Sequence, residues 1–206
     1  MKIKKIERSK HQQGRILVYL EGGDLLRVTE DELLRFDLYT GLDISPDTMV
    51  ELQKCAARSD ARVRAVRMIS ARPLSKQELQ KRLRDKGTAD ADAEAAADWL
   101  EDIGAVDDLA YARTIVRHYS ANGYGEAKLR DELRRRGVPR EHWDEALADA
   151  PDPAETIARV IASKTKGDVI GEREQKKLSD LLLRRGFAWR DVKAALVALG
   201  EEIPED

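Results

Sequence analysis

Cysteine is almost missing from this 206-residue chain, with Cys55 standing alone. No intramolecular disulfide can form, and a reducing cytosol is the expected compartment. No apolar run reaches membrane-spanning length, and the charged start MKIKKIERSK has no apolar stretch behind it, so neither a membrane span nor a secretory signal is read. Aromatic residues make up only 5% of the chain, which argues against a β-sandwich. There is no Gly-x-x-x-x-Gly-Lys-Ser/Thr loop, which excludes nucleotide hydrolysis of the P-loop kind. The three histidines, His11, His118 and His142, form no HExxH motif and have no cysteines at zinc spacing, so they read as ordinary surface or helix residues. Cys55 has no base near it in sequence and reads as a small helix residue. Asp107-Asp108 could open a metal site for phosphodiester chemistry, but such sites need several converging carboxylates. An acid pair just before Leu109 is what a helix N-terminus prefers. No catalytic group, cofactor or metal is expected. The net charge of -2 also rules out a uniformly basic coat, so any contact with a polyanion must come from local segregation of charge.

What the chain does contain is repetition. SKQELQKRLRDKG (Ser75 to Gly87), GEAKLRDELRRRG (Gly125 to Gly137) and EQKKLSDLLLRRG (Glu174 to Gly186) spell the same helix. Their terminal glycines lie 50 and then 49 residues apart, and Leu79/Leu83, Leu129/Leu133 and Leu178/Leu182 fill identical slots. Self-similarity at a fixed period is the mark of stacked supersecondary units. With 37% charged residues and much Ala, Leu, Lys, Arg and Glu, the fold class is mostly α.

Each repeat reads as three helices. The first has A around Arg62 to Arg72, B from Lys76 to Lys86 and C around Ala91 to Ile103. The second has A from Leu109 to Ser120, B from Glu126 to Arg136 and C from Pro139 to Asp149. The third has A from Pro153 to Lys164, B from Glu172 to Arg185 and C from Ala188 to Leu199. Ser75 caps with Glu78, while Gly125 stands at the matching cap position with Tyr124 as a hydrophobic staple onto Leu129. In the third repeat, B begins after the Gly167 to Gly171 loop. Each B helix ends at a glycine, Gly87, Gly137 or Gly186, where a left-handed residue satisfies the last carbonyls. A short turn follows, giving a helix-turn-helix outline. Trp99, Trp143 and Trp189 lie in or beside the C helices and are expected to be buried against A and B.

The first residues differ. Short β-prone runs at 3–6, 16–20 and 25–28 form a small hairpin element, with Gly22-Gly23 as a turn that tolerates positive φ at both positions. A helix follows from Thr29, whose TEDE opens a capping box, and another from Ser45, with Pro46 at its first position. The expected domains are 1–59, hairpin plus helices; 60–106, first repeat; 107–151, second repeat; and 152–206, third repeat.

Charge follows the repeats. Lys76 to Gly87 holds five bases and two acids, Lys128 to Gly137 five and two, and Lys176 to Gly186 four and one, so each of these B-helix stretches carries plus three. Ala89 to Asp108 holds eight acids and no base. Basic residues near helix C-termini also complement the macrodipole and need no partner. Their threefold recurrence instead suggests a row of basic helices able to follow a phosphate backbone. The candidate contacts are Lys81, Arg82, Arg84 and Lys86; Lys128, Arg130, Arg134, Arg135 and Arg136; and Lys176, Lys177, Arg184 and Arg185, some of them merely solvated. Asp90, Asp92, Glu94, Asp98, Glu101 and Asp102 are a second candidate, for a basic partner surface.

These segments, with AVDDLAYARTIVR (Ala105 to Arg117), YGEAKLRDELRRRGV (Tyr124 to Val138) and KKLSDLLLRRGF (Lys176 to Phe187), resemble the RecX family, regulatory proteins of the RecA recombinase, over nearly the whole chain. The N-terminal extension is similar to that of the family's longer members. Thr88 and the Ala/Asp-rich run behind it depart from the pattern, since the family carries an apolar residue after this glycine. The resemblance implies tandem three-helix repeats in an elongated, curved array. It also implies binding in the groove of the RecA filament on single-stranded DNA, restraining filament growth, ATP hydrolysis and strand exchange, with no catalysis of its own. DNA phosphates are a further expected contact, and a cytoplasmic monomer is expected. The rival reading is a helix-turn-helix transcriptional regulator using one recognition helix on duplex DNA; the spread of bases over three units and the lack of a heptad run count against it. A metal-dependent nuclease built on Asp107 or Asp108 is more distant.

Overall fold

The computed structural model describes residues 1–165 and 171–201. They form three strands, β1 (Ile3–Arg8), β2 (Ile16–Leu20) and β3 (Leu25–Val28), then ten helices: α1 (Glu30–Arg35), α2 (Pro46–Ala71), α3 (Lys76–Asp85), α4 (Asp90–Asp102), α5 (Asp108–Ala121), α6 (Glu126–Arg135), α7 (Trp143–Leu147), α8 (Pro153–Thr165), α9 (Glu172–Arg184) and α10 (Trp189–Glu201). A 3-10 turn, Arg140–His142, precedes α7. The fold is thus mostly α with a small N-terminal sheet. Among the described residues no helix is long and apolar enough to cross a membrane. The chain divides into two compact units, one of Met1–Arg72 with Leu79–Ala105, the other of Pro73–Glu78 with Val106–Asp206.

In the first unit the strands pair antiparallel in the order β1-β2-β3. The β2–β3 turn has four residues, and only Gly23, at φ 90°, is left-handed, so the positive φ expected at both glycines is needed at one. Ile3, Ile16, Val18, Leu20 and Val28 bury one face of the sheet against Leu38, Ile44, Met49 and Leu52. Met49 and Leu52 come from α2, which supplies the helix a hairpin needs for stability. The Thr29 capping box is present, Glu32 N donating to Thr29 Oγ1 at 3.1 Å and Thr29 N to Glu32 Oε2 at 2.8 Å. Ser45 caps α2 with Pro46 at its first position.

The two helices expected after Ser45 and around Arg62 to Arg72 are one continuous helix of 26 residues. No glycine or proline interrupts residues 47–71, so nothing stops the helix once it is capped. Its first half serves the sheet; its second half is helix A of the first repeat, burying Ala61 and Ala65. The middle is clamped by Arg15, 3% exposed, which reaches Asp60 at 2.8 Å and Ser59 Oγ at 2.7 Å. Leu79, Leu83, Ala93, Ala96, Ala97 and Leu100 are also buried in this unit.

The second unit contains two repeats with separate cores. Tyr111, Ile115 and Val116 of α5 meet Leu129 and Leu133 of α6 and Trp143 of α7. Ile157, Val160 and Ile161 of α8 meet Leu178 and Leu182 of α9 and Val192 of α10. Helix C of the second repeat is shorter than the 139–149 span read from sequence. Trp189, expected to be buried, is 58% exposed. In register, Trp189 matches exposed Arg140, while the slot of buried Trp143 belongs to Val192, which is fully buried.

Candidate functional site

The B helices α3, α6 and α9 share one stop. Gly87, Gly137 and Gly186 have φ of 81°, 67° and 89°, the left-handed conformation that closes a helix without a Cβ penalty. The next residue folds back identically each time: Thr88 N to Leu83 O at 3.0 Å, Val138 N to Leu133 O at 3.0 Å, Phe187 N to Leu182 O at 3.2 Å. Thr88, which departs from the family pattern, therefore makes the same turn, because the bond uses only backbone.

Gly186 does more than end a helix. Gly125 N donates to Arg185 O at 2.9 Å and Ala127 N to Gly186 O at 3.1 Å, so the last carbonyls of α9 satisfy the first amides of α6. Helix termini leave these groups unpaired, and here the negative end of one dipole meets the positive end of the next. The contact is backbone to backbone: a Cβ on Gly125 would lie 2.5 Å from Gly186 O, and one on Gly186 2.5 Å from Lys128 N. The C-terminal turn of α6 meets the first turn of α3 through a side chain instead. There Ser75, fully buried, accepts from Glu78 N at 3.0 Å and donates to Arg136 O at 2.5 Å. The Asp107-Asp108 pair divides its work: Asp107 caps α5 by accepting from Ala110 N at 2.9 Å, whereas Asp108, buried, accepts from Lys76 N at the start of α3 at 2.9 Å.

The candidate cations differ sharply in their surroundings. On α3, Lys81, Arg82, Arg84 and Lys86 are all exposed; Arg84 pairs with Asp90 at 2.9 Å, and Arg82 also interacts within the fold. On α6 every candidate has an anionic or aromatic partner. Arg130 bridges Glu126 at 2.7 Å and Asp144 at 3.3 Å. Arg134 pairs with Asp131 at 2.8 Å beside the Trp143 ring. Glu132, buried, collects Arg135 at 2.5 Å, Lys128 at 3.4 Å and Arg136 at 3.8 Å, and Arg136 Nη1 donates to the Tyr111 hydroxyl at 2.8 Å. Burial alone would raise the Glu132 pKa, but bonds from Arg135, Tyr119 and Lys128 hold it below the ordinary glutamate value. On α9, Lys176 and Lys177 are exposed, and no ion pair among the described residues engages them or Lys81 and Lys86. Arg184 is exposed and, among the described residues, bonded only to the Asp180 carbonyl. Arg185 Nη1 donates to Asn122 O and Gly123 O at 3.0 Å each, with its guanidinium over the Tyr124 ring.

Arg185 and Arg136 are therefore placed as structural links, while Lys81, Lys86, Lys176, Lys177 and Arg184 are left facing solvent. Glu132 was missed as a hub, because in sequence it is one of two acids among five bases; only its burial sets it apart. Among the acidic candidates, Asp90 is tied to Arg84, and Asp98 and Glu101 also have partners within the fold. Among the described residues no group of three or more His, Cys, Asp or Glu is placed to hold a metal ion.

Known proteins share this sequence pattern and fold. The family model described as RecX, first three-helix domain, matches residues 61–100, and that described as RecX, second three-helix domain, matches residues 107–147. A "Regulatory protein RecX" of Chromohalobacter salexigens is 33% identical over 145 residues, covering 70% of this chain and 93% of that protein. One of Lactobacillus delbrueckii subsp. bulgaricus is 29% identical over 200 residues, covering 95% of this chain and 74% of its own length. A solved structure, "Crystal structure of regulatory protein RecX", superposes with a TM-score of 0.70 at 24% identity over 94% of this chain and 98% of its own, and so shares the fold. With its paired helix-turn-helix repeats and a relative matched over nearly its full length, the chain belongs to the RecX family of regulatory proteins.

Proposed function

We propose that this protein is a cytoplasmic, non-catalytic modulator, mainly an inhibitor, of the RecA recombinase. It binds the RecA filament on single-stranded DNA and restrains filament growth, ATP hydrolysis and strand exchange. The observation that carries this reading is the recurrence of exposed lysines, Lys81 and Lys86 on α3 and Lys176 and Lys177 on α9, with no ion pair among the described residues. Unpaired lysines can neutralise phosphates without first breaking an internal bond, and several weak contacts along one filament act multivalently. Arg82, Arg84, Lys128, Arg130, Arg134, Arg135 and Arg184 join in this proposal as secondary contacts. Arg136 and Arg185 support the others by holding helix ends together. The chain acts as a monomer, each repeat taking a separate contact.

The test is the ATPase rate of RecA on single-stranded DNA, titrated with the protein at fixed moderate salt. A variant with Lys81, Lys86, Lys176 and Lys177 changed to alanine runs beside it. Inhibition by the parent and weaker inhibition by the folded variant is the expected result. No inhibition by the parent, where filaments form, would overturn the proposal, and tight binding to one duplex sequence without RecA would favour a transcriptional regulator.

A further inference from the structure

The corner between helices B and C is furnished differently in each repeat. Its backbone turn is the same, with Thr88 N, Val138 N and Phe187 N folding back onto Leu83 O, Leu133 O and Leu182 O. That turn brings together two slots, the residue three before the glycine and the residue three after it. In the first repeat they hold Arg84 and Asp90, an ion pair at 2.9 Å. In the second they hold Arg134 and Arg140, each with its guanidinium 5.8 Å from the centroid of the Trp143 ring. In the third they hold Leu183 and Trp189, 40% and 58% exposed. Partners within the fold thus occupy the corner side chains of the first two repeats, and the third leaves two apolar side chains in solvent. Trp99 also carries an arginine, Arg62, at 5.0 Å, whereas among the described residues no cation or aromatic ring is stacked on Trp189.

Positive charge leads up to this ring. The face of α9 opposite buried Leu178 and Leu182 holds Arg173, Lys176, Lys177, Asp180 and Arg184, all exposed, four cations to one acid. From Lys176 to Arg184 the track is about 12 Å long at 1.5 Å per residue, and it ends at the Leu183–Trp189 corner. The acids Glu172 and Glu174 lie at its far end, in the first turn of α9. Past the corner, Arg190 is drawn to Asp191 at 3.3 Å, and Lys193, one turn beyond Trp189, is exposed with no ion pair among the described residues. Two classes of partner use an exposed indole. A docked protein helix needs a continuous apolar stripe, and Lys193 interrupts the line from Trp189 to exposed Val197. Single-stranded nucleic acid needs a basic track for its phosphates and a ring for a base to lie on, and every base has a π-face. The third repeat carries the second pattern.

We propose that Trp189 is a stacking platform for a nucleobase of single-stranded DNA, with Lys176, Lys177 and Arg184 on the phosphates to one side of that base and Lys193 on the other. This rests on the filament-binding reading above for its ligand, and adds a base contact to the phosphate contacts proposed there.

The test compares the parent, Trp189→Ala and Trp189→Phe on two labelled strands of equal length, oligo(dT) and an abasic deoxyribose-phosphate chain, by fluorescence anisotropy at fixed salt. The expected result is tighter binding of oligo(dT) by the parent, about tenfold weaker binding of it by Trp189→Ala, near-parent binding by Trp189→Phe, and no difference among the three on the abasic strand. Intrinsic tryptophan emission gives a second readout: oligo(dT) should quench the parent and leave Trp189→Phe unquenched. Equal binding of oligo(dT) by the parent and Trp189→Ala, equal losses on both strands, or a parent that binds neither strand would overturn the base contact. A loss by Trp189→Ala seen on RecA filaments but absent on the bare strand would also overturn it, and would assign the ring to a protein surface. Inhibition of the RecA ATPase by the parent is measured alongside. Inhibition without the expected strand pattern removes the base contact alone, and the strand pattern without inhibition removes the filament reading alone.

Discussion

Helices α6 and α9 have the same leucine spacing and the same terminal glycine, and the stretches Lys128 to Gly137 and Lys176 to Gly186 each carry plus three, yet their cations do different work. On α6 the charge is folded inward onto Glu132, Glu126, Asp131 and Asp144. On α9 it is split: Arg185 is committed to two backbone carbonyls, and Lys176 and Lys177 stand in solvent. Arg134-Arg135-Arg136, the densest basic run in the chain, is therefore the most internally paired. Charge density along a sequence measures how many cations a helix has, and availability depends on the acids placed one turn away on the same helix, with one more, Asp144, from α7.

The largest effect that would break the likeness of the three helix ends comes from the junction glycines. Gly186→Ala combines a left-handed φ with a Cβ pressed on Lys128 N, and should lose about 2–4 kcal/mol from strain and overpacking together. Gly87→Ala has the same φ but nothing within 4 Å of the new Cβ, so it should lose only about 1–2 kcal/mol. Thermal melts of the two variants, compared with the parent, check the difference; equal losses would mean that the α9–α6 contact adds nothing.

Next in size is Arg185→Ala, which removes two charge-assisted bonds to Asn122 O and Gly123 O and should cost roughly 1–3 kcal/mol. Denaturant unfolding measures it, and a loss of DNA affinity without a loss of stability would reverse the assignment of Arg185 as a structural link.

A smaller effect sharpens the contrast in availability. If Lys176 and Lys177 each meet one phosphate of single-stranded DNA, changing both to alanine should reduce the salt slope of binding by about 1.4, from roughly 0.7 per phosphate. Changing Arg134 and Arg135 to alanine should reduce it less, because both are already neutralised by Asp131 and Glu132. Binding isotherms at several salt concentrations separate the two variants.

The smallest effect concerns pH. Glu132 has a native pKa below its ordinary value of 4.5, so its stabilising contribution is fully present above that value. It is lost as pH falls through the lower native pKa. Glu132→Gln should flatten this part of the acid limb of a stability-versus-pH curve. An unchanged slope would mean that the cations around Glu132 do not depend on its charge.

Much of the architecture was legible along the chain because its causes are local. The Thr29 box, the Ser45-Pro46 start, the three glycine stops and the leucine pairs each rest on residues within one or two turns, and all appear in the structure. The unbroken α2 was legible too, had the lack of glycine and proline over 47–71 been weighed above the repeat period. Trp189 misled because residue type suggested burial while the register of the repeat assigned the inner slot to Val192.

Sequence by itself determined the repeat, the helix ends that caps and glycines fix, and the charge of each repeated stretch, since hydrogen-bond period, capping and composition act over a few residues. Tertiary structure alone decided that Gly125 and Gly186 meet backbone to backbone, and that Asp108 caps the start of α3 rather than its own helix. These outcomes depend on which side chains from distant segments come within a few ångströms of one another, a distance that no spacing along the chain encodes.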